Sequence, residues 1–329
     1  MLTTPEQVAE KIRAGATLYL AGDESLLDSL PRGNWIGGTI PYFMDQRGGV
    51  HSRDLVFVTE LPRSVTGVRI HWYDVADLAR IVDDSPDHGF SLLILPNGSQ
   101  AHVRYAQDSP DYPGLYLKHI AGWVAGVDLA ELGRTLPRVY DGTSGKRYDG
   151  GCVALHATLA GSSRASIGIV NCFRQDDGDV LTFPEDGFEI GQCLVNGRPR
   201  TFSEYLAARQ ADPRLPLVAD YNGEMINVGI QSIDAAKGRV KLYAPVFHGV
   251  EYRLAAPVAD YVEEFSRRLP QVASNPVFSC NCILNFLYSE LEGKRTGQLV
   301  GPVTFGEIAY QVLNQTLVYL QIDDDDIAA

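Results

Sequence analysis

Short strand-like runs on either side of a helix-like segment most constrain how this chain folds. The runs Leu55–Thr59, Val68–Tyr73 and Phe90–Leu95 have the composition of buried or half-buried strands. In Val68–Tyr73 apolar and polar residues alternate, which predicts one wetter face. The segment Val75–Val82, between two of these runs, has the character of a helix. A strand, a helix and a strand at this spacing predict an α/β layer.

The first helix is marked by its own capping residues. Thr4 stands at the N-cap position, and Gln7 three residues later completes a capping box. Val8 and Ile12 then form an apolar stripe, because residues four apart lie on one face of a helix. A strand over Thr17–Ala21 follows.

The rest of the chain is richer in strands than in helices. A second capping box, formed by Thr201 and Glu204, predicts a helix through Ala208, and helices are also predicted over Val258–Leu269 and over Ile283–Leu291. The dipeptide Asn196-Gly197 is a strong hairpin signal. Strands are predicted over Cys152–Leu159, Ala165–Phe173, Val180–Phe183, Phe188–Val195, Ile226–Ile233, Val240–Pro245, Val250–Leu254, Val277–Cys280, Val303–Tyr310 and Thr316–Ile322. Together these segments predict an α/β fold, a layered sandwich of mixed sheets with outer helices.

The charge of the chain argues against nucleic acid and membrane as partners. The 28 basic and 41 acidic side chains give a net charge of −13, which repels phosphate backbones and anionic lipid. The pairs Arg267-Arg268 and Lys294-Arg295 are too short to form a basic stripe, so they are interpreted as solvated charges. A hydrophobic fraction of 45% nevertheless predicts a sizeable core.

The amino terminus and the cysteines favour the cytoplasm. Charged residues stand where the apolar region of a signal peptide would lie, and no run approaches the roughly 18 apolar residues of a membrane span. An odd number of cysteines at irregular spacing does not predict a disulfide framework. Those cysteines are Cys152, Cys172, Cys193, Cys280 and Cys282.

The sequence lacks the common cofactor and catalytic motifs. It contains no P-loop, no G-x-G-x-x-G after the first strand, no G-x-S-x-G, no H-E-x-x-H and no C-x-x-C. No cofactor and no metal site are therefore predicted. Heme stays as an alternative, because one histidine suffices as an axial ligand. His102 and His248 are the candidates, since both are expected to be exposed.

Two polar clusters interrupt otherwise apolar segments. Cys280-Asn281-Cys282 lies where a strand gives way to a helix, and a helix N-terminus binds anions and acidifies a thiol. The alternative is that Asn281 caps the helix and both cysteines pack in the core. In Gly306-Glu307, the carboxylate must be exposed, paired or used, because burying an unpaired charge is costly. It therefore faces a pocket or lies on an edge strand.

The C-terminal segments resemble a known family. Phe278-Ser279-Cys280, a helix, Gly301 to Ile308, and then Asn314-Gln315-Thr316-Leu317 resemble the C-terminal half of the FIST sensory domain. In that family a strand-borne Ser-Cys precedes a Gly-Glu strand and an Asn-x-Thr strand. The family usually has a Gly-Arg pair two or three residues after its Ser-Cys, whereas here Asn281-Cys282-Ile283-Leu284 contains no Arg.

The N-terminal segments resemble the same family more weakly. Trp35 to Thr39 stands where FIST domains have a Gly-rich turn, although Gly38-Thr39 replaces the family's Cys-Ser. Phe90–Gly98 and Phe188–Tyr205 resemble its later segments. The resemblance implies two related halves. The similarity of Gly37–Tyr42 to Gly301–Gly306 has two alternative explanations, a duplicated unit and chance. The implied division is an N-terminal helix and strand (1–29), a FIST N-like half (30–220), a FIST C-like half (221–322) and an acidic tail (323–329).

The resemblance implies a cytoplasmic small-molecule sensor in signal transduction. FIST domains are regarded as ligand-sensing modules, with amino acids among the suggested ligands, and some members bind heme. This chain leaves no room for an output module, so a signalling protein is an expected partner. The implied ligand-binding residues lie in a cleft between the halves: Gly37, Gly38, Thr39, Cys280, Asn281, Gly306, Glu307 and Asn314. The alternatives are an enzyme with Cys280 as nucleophile, a heme-binding gas sensor and a scaffold without a pocket.

Overall fold

The computed structural model describes residues 1–221, 223–269 and 276–324. Of residue 324 it describes the backbone alone. Most of the predicted acidic tail therefore lies outside the described residues. In the described part, none of the helices has the length and apolar composition needed to cross a bilayer. The helices are α1 (Pro5–Arg13), α2 (Glu24–Asp28), α3 (Arg80–Asp84), α4 (Gln100–Asp108), α5 (Phe202–Ala208), α6 (Tyr261–Arg268) and α7 (Ile283–Tyr288).

Strands make up most of the regular structure. In chain order they are β1 (Leu2–Thr3), β2 (Leu18–Gly22), β3 (Trp35–Thr39), β4 (Tyr42–Asp45), β5 (Gly48–His51), β6 (Val56–Glu60), β7 (Val65–Tyr73), β8 (Gly89–Pro96), β9 (Ile120–Ala125), β10 (Val139–Asp141), β11 (Lys146–Tyr148), β12 (Cys152–Leu159), β13 (Ser163–Val170), β14 (Leu181–Thr182), β15 (Gly187–Ile190), β16 (Gln192–Val195), β17 (Arg198–Thr201), β18 (Leu217–Tyr221), β19 (Glu224–Val228), β20 (Ile230–Asp234), β21 (Arg239–Val246), β22 (Tyr252–Leu254), β23 (Phe278–Cys282), β24 (Gly301–Thr304), β25 (Glu307–Ala309), β26 (Gln311–Leu313) and β27 (Leu317–Asp324).

The chain divides into two compact units. Unit 1 comprises Met1–Ile169, Leu269–Val312 and Leu317–Ala329, and unit 2 comprises Val170–Arg268 and Leu313–Thr316. The predicted division at residues 220 and 221 falls inside unit 2. The units are discontinuous because the chain enters unit 2 after β13 and returns to unit 1 before β23.

Unit 1 is built on three mixed sheets. The first has the strand order β1-β6-β2-β3-β10-β11, the second β26-β25-β9-β8-β12-β7, and the third β13-β27-β23-β24-β4-β5. The pairs β2–β3, β8–β9 and β23–β24 are parallel, and their neighbours are antiparallel. The predicted mixed-sheet α/β architecture is thus confirmed in this unit.

Helix α1 covers one face of the first sheet. Its capping box is formed as predicted, with Thr4 and Gln7 bonded reciprocally. The stripe of Val8 and Ile12 packs against buried residues of β2, β3 and β6, with Trp35 among them. Burial of such side chains stabilises the helix more than its intrinsic propensity does.

Unit 2 contains two antiparallel sheets. One has the order β17-β16-β14-β22-β18-β19, and the other is β15-β21-β20. Their shared core includes Phe183, Phe202, Tyr252 and Val240. The predicted Asn196-Gly197 hairpin joins β16 to β17, and both residues have the positive φ that this turn needs.

Several predicted elements have different limits in the structure. Helix α5 forms as predicted, but Thr201 makes no side-chain capping bond, so the capping box proposed there is wrong. The single strand predicted over Val303–Tyr310 is two strands. The Thr304 hydroxyl donates to the Gly306 carbonyl at 3.0 Å, and this bond closes the bend between β24 and β25. The helix predicted over Val75–Val82 is a short 3₁₀ turn followed by α3.

Candidate functional site

The predicted turn at Gly37-Gly38-Thr39 is a buried strand, so that part of the sequence interpretation is wrong. β3 pairs with β2 on one side and β10 on the other. A Cβ on Gly38 would lie 2.6 Å from the Trp123 ring and 2.8 Å from Ile94. The close approach that a glycine permits is therefore made here by protein side chains of the second sheet.

Thr39 lies at the end of β3 and lines a small cleft. Its hydroxyl donates to the Gly126 carbonyl at 2.8 Å and accepts from the Arg138 N–H at 2.9 Å. Arg53 also lines this cleft and bridges two of its carboxylates, Asp23 and Glu131, at 2.7 Å each. The volume open to a ligand is only about 40 Å³, which suits a water molecule rather than a metabolite.

A histidine–carboxylate pair beside this cleft was missed by sequence reasoning. His51 Nε2 and Asp128 Oδ2 are 2.9 Å apart, and the His51 ring stacks on Tyr42. Burial acts to raise the pKa of Asp128, but the N–H of Ala130 and the His51 ring outweigh it and hold that pKa below its usual range. No local motif signals the pair, because Asp128 is brought to His51 by the fold.

Two of the C-terminal candidates, Cys280 and Glu307, lie together in the core of unit 1. Glu307 is fully buried and pairs with Trp123 across β25 and β9, which excludes the alternative of an exposed edge-strand acid. The Cys280 thiol lies 3.5 Å from the Gly122 carbonyl, next to Trp123 in the chain. Glu307 and Cys280 are close enough for the carboxyl to affect the thiol's ionisation. The structure thus brings Gly38, Cys280 and Glu307 to one region around Trp123.

Asn281 is tied to the start of α7. Its side-chain oxygen accepts from the Cys282 N–H at 2.8 Å and from the Asn285 amide at 3.0 Å. Cys282 occupies the N-cap position but makes no side-chain capping bond. Both cysteines pack in the core, as the alternative interpretation predicts, but the N-cap is Cys282, so the cap predicted at Asn281 is wrong. Binding of a ligand by these residues stays a prediction.

Cys280 does not have the environment of a nucleophile. Burial raises the pKa of its thiol well above the ordinary value, and the nearby Glu307 carboxyl raises it further. Burial likewise raises the pKa of Cys172 to about 12 and that of Cys193 to about 11. A reactive cysteine needs a lowered pKa and access to solvent.

We therefore expect the native protein to resist thiol reagents. All five cysteines are buried and none is in a disulfide. At pH 8, Ellman's reagent is expected to label fewer than one thiol per chain within minutes, and all five in denaturant. Cys172 should react first because it alone of the five lines a cleft described below. Rapid native labelling of Cys280, located by mass spectrometry, would contradict this account.

Asn314 belongs to unit 2, where its amide is used by the protein. Its side-chain oxygen accepts from the Gly229 N–H at 2.7 Å, and its amide donates to the Asn227 carbonyl at 3.2 Å. Asn227 and Asn171 also bond reciprocally through their amides. Asn314 therefore holds the Leu313–Thr316 segment against β19.

One of the clefts of unit 2 has a size suited to a ligand. It has a volume of about 410 Å³, within the range of small-molecule sites. Its floor is formed by two adjacent segments, because the Ala256 N–H donates to the Arg174 carbonyl at 2.9 Å. α6 forms one wall. The lining residues are Cys172, Arg174, Gln175, Ala256, Pro257, Val258, Ala259, Asp260, Glu263, Glu264 and Arg267.

The Glu264 carboxylate contacts three guanidinium groups in and beside this cleft. Glu264 contacts Arg268 at 2.6 Å, Arg267 at 2.9 Å and Arg174 at 3.4 Å. The hydrogen bond from Arg268 is the main reason why the pKa of Glu264 lies below its usual range. Asp260 accepts from the Glu263 N–H at 3.0 Å and so caps α6. The sequence pairs Glu263-Glu264 and Arg267-Arg268, four residues apart, could have signalled this cluster.

The histidines offer little support for heme. His102 was expected to be exposed, but it is buried in α4, its Nδ1 accepts from the Gly98 N–H, and burial lowers its pKa to about 4. His248 is exposed, as expected, and its Nδ1 lies 3.2 Å from the Phe183 carbonyl. Across residues 1–221, 223–269 and 276–324, no group of three or more His, Cys, Asp or Glu side chains is arranged to hold a metal ion.

Comparison with known proteins identifies the family of this chain. No curated protein matches the chain. A family model described as a family of unknown function, DUF6976, matches residues 3–323. Because the match spans almost the entire sequence, the chain belongs to the DUF6976 family.

Proposed function

We propose that this protein binds a small zwitterionic molecule in the cleft of unit 2. The observation that carries the proposal is the arrangement of guanidinium and carboxylate groups around one cleft of about 410 Å³. The expected ligand carries a carboxylate and an ammonium group, as an amino acid does. Its apolar part would lie on Ala256, Pro257 and Val258.

The guanidinium groups have donors to spare for a ligand carboxylate. Each guanidinium has five N–H donors, whereas a carboxylate accepts about four hydrogen bonds. Glu264 is shared among Arg174, Arg267 and Arg268, so it engages only part of their donor capacity. The side chains of Arg174 and Arg267 are 67% and 62% exposed, which leaves their outer edges accessible. Such groups bind carboxylates in a bidentate geometry.

The carboxylates of the cleft suit the other end of the ligand. Glu263 is 73% exposed and only loosely bound to Arg267, at 3.4 Å. Asp260 uses one oxygen for the cap of α6 and has the second oxygen for an ammonium group. An ammonium donates three hydrogen bonds. A ligand with both charges satisfies the cleft better than an anion or a cation alone.

A sensory role in the cytoplasm follows from the resemblance to FIST domains. A cleft without a reactive thiol suits binding rather than turnover, which supports a sensor over the cysteine-dependent enzyme. The free cysteines suit a reducing compartment. We expect a signalling protein as the partner of the ligand-bound sensor.

Calorimetric titration tests the proposal with probes of graded charge. The probes are the ω-amino acids from glycine to 5-aminopentanoate, with acetate and propylammonium as the single-charge halves. One ω-amino acid is expected to bind about tenfold or more tighter than either half, because a charge-assisted hydrogen bond contributes roughly 1.5 kcal/mol or more. The chain length of the best probe then reports the separation of the two charge sites.

Matched variants locate the binding. Arg174→Gln should weaken acetate and the best ω-amino acid, and Glu263→Gln should weaken propylammonium and the same ω-amino acid. Arg200→Gln removes one charge from β17, outside the cleft, and should change none of the affinities. The proposal fails if no probe binds, or if Arg200→Gln weakens binding as much as Arg174→Gln does.

A further inference from the structure

A buried chain of hydrogen bonds crosses the second sheet of unit 1. His156 on β12 is its centre, with Nε2 at 2.8 Å from the Tyr73 hydroxyl and Nδ1 at 2.8 Å from the Ser91 hydroxyl. The Tyr73 hydroxyl also lies 2.7 Å from Asp84 at the end of α3. His156, Tyr73 and Ser91 are at most 4% exposed. This arrangement is independent of the proposed ligand cleft.

The hydrogen bonds at the Ser85 end determine which atom is the donor in each contact. Ser85 contacts the Ile81 carbonyl at 2.6 Å, and a carbonyl only accepts, so Ser85 donates there. Ser91 must then donate across the 2.8 Å contact to Ser85, because the single Ser85 proton is already used. Ser91 has no second proton, so the Nδ1 of His156 must carry hydrogen and donate to Ser91.

The hydrogen bonds at the Asp84 end determine whether the other ring nitrogen of His156, Nε2, carries a proton. Asp84 receives the Arg69 guanidinium at 3.3 Å, and its Oδ2 contacts Tyr73. Burial acts to raise the pKa of Asp84, but Tyr73 and Arg69 outweigh it and hold that pKa below its usual range. An ionised Asp84 only accepts, so Tyr73 donates to it. The Nε2 of His156 must therefore donate to Tyr73, and both ring nitrogens carry protons.

We infer that His156 is a buried proton site whose imidazolium form, balanced by Asp84 through Tyr73, completes this chain. Loss of that proton leaves two hydrogen-bonding atoms in contact with no hydrogen between them. One hydrogen bond in the series that links β8 and β12 to Tyr73 and α3 must then break. The site makes the packing of α3 on the second sheet sensitive to pH.

Charged groups on several elements face this site. Arg69 and His71 on β7 oppose the imidazolium, and Asp84 on α3 favours it. Burial acts most strongly against it, and burial with these charges alone would place the pKa of His156 at about 4. Lys118 donates to the Ser85 carbonyl, and Cys152 on β12 lies near Tyr73. The hydrogen-bond directions oppose the effect of burial, so the two accounts predict opposite pH dependence.

The sign of the pH dependence separates the two accounts. The unfolded histidine titrates near pH 6.5. If the folded site keeps its proton above that pH, the stabilisation is complete below pH 6.5 and is lost as the pH rises through the folded pKa. If burial prevails and the folded pKa is about 4, stability is instead lost as the pH falls below 6.5.

Equilibrium unfolding against pH tests the inference with two tyrosine variants. In Tyr73→Phe a neutral His156 can make all the remaining hydrogen bonds, so the second ring proton is no longer needed. Tyr140→Phe is the control, since Tyr140 also donates to an aspartate, Asp28 at 3.0 Å, without a histidine in contact. From pH 7 to 8 the unfolding constant of wild type should rise about tenfold more than that of Tyr73→Phe. Tyr140→Phe should behave as wild type.

Nitrogen NMR of the histidine ring gives a second, independent measurement on the unaltered protein. The His156 signals are those missing from His156→Gln. We expect both ring nitrogens to be protonated at pH 7. Parallel pH curves for wild type and Tyr73→Phe, or a neutral His156 tautomer at pH 7, would overturn the inference.

Discussion

Replacing Trp123 by alanine is expected to lower the free energy of unfolding of unit 1 by about 3–5 kcal/mol. Trp123 is only 1% exposed and fills the space above Gly38. It also packs edge-on against Tyr19, with ring centroids 6.3 Å apart. Removing the ring leaves a cavity between the first and second sheets that their rigid strands cannot close. Urea unfolding monitored by circular dichroism measures the change.

Trp72→Ala provides the matched control within the same unit. Trp72 is half-buried on β7 at the edge of the second sheet, where it stacks on Tyr148. Its loss should cost less than half as much, because solvent and neighbouring side chains fill the space. Equal effects of the two substitutions would show that Trp123 does not join the two sheets.

Gly301→Ala is expected to lower the free energy of unfolding by about 3 kcal/mol or more. A Cβ at this position would lie 1.7 Å from the backbone oxygen of Ser279. β23 and β24 are parallel neighbours in the third sheet, so the methyl group can be admitted only by separating two backbones. The same urea measurement applies, and loss of soluble protein is the limiting outcome.

Gly161→Ala tests whether the effect is steric. Gly161 lies in the turn after β12, and a Cβ there would meet no atom within 4 Å. Since alanine also restricts the unfolded chain, this change should be neutral or slightly stabilising. If both glycine substitutions had the same effect, the close approach of β23 and β24 would not be the reason.

Local patterns in the sequence predicted elements better than they predicted the neighbours of those elements. The capping box of α1 and the Asn196-Gly197 turn depend on residues a few positions apart, and both form. Gly37-Gly38 resembles a turn locally, yet it is a strand because Trp123 occupies the space that Gly38 leaves. That partner comes from β9, a distant part of the chain, so no local pattern reveals it.

For the site residues too, local patterns predicted an unusual residue better than they predicted its spatial neighbours. The composition around Glu307 correctly marked an unusual carboxyl, and the structure places it in the core beside Cys280 rather than at a surface. The cleft of unit 2 was missed because Arg174 and Arg267 are far apart in sequence and look like ordinary surface charges. The sequence did contain the Glu263 and Glu264 partners of Arg267, but not the fact that Arg174 joins them.

Observing the guanidinium groups directly during titration tests the central claim. In ¹⁵N-labelled protein, the side-chain Nε signals of Arg174 and Arg267 are assigned with Arg→Gln variants and followed as an ω-amino acid is added. We expect both signals to shift to saturation with one dissociation constant, while the Arg200 signal stays in place. Binding without a shift at Arg174 or Arg267, or equal shifts at Arg200, would contradict a ligand site in the unit 2 cleft.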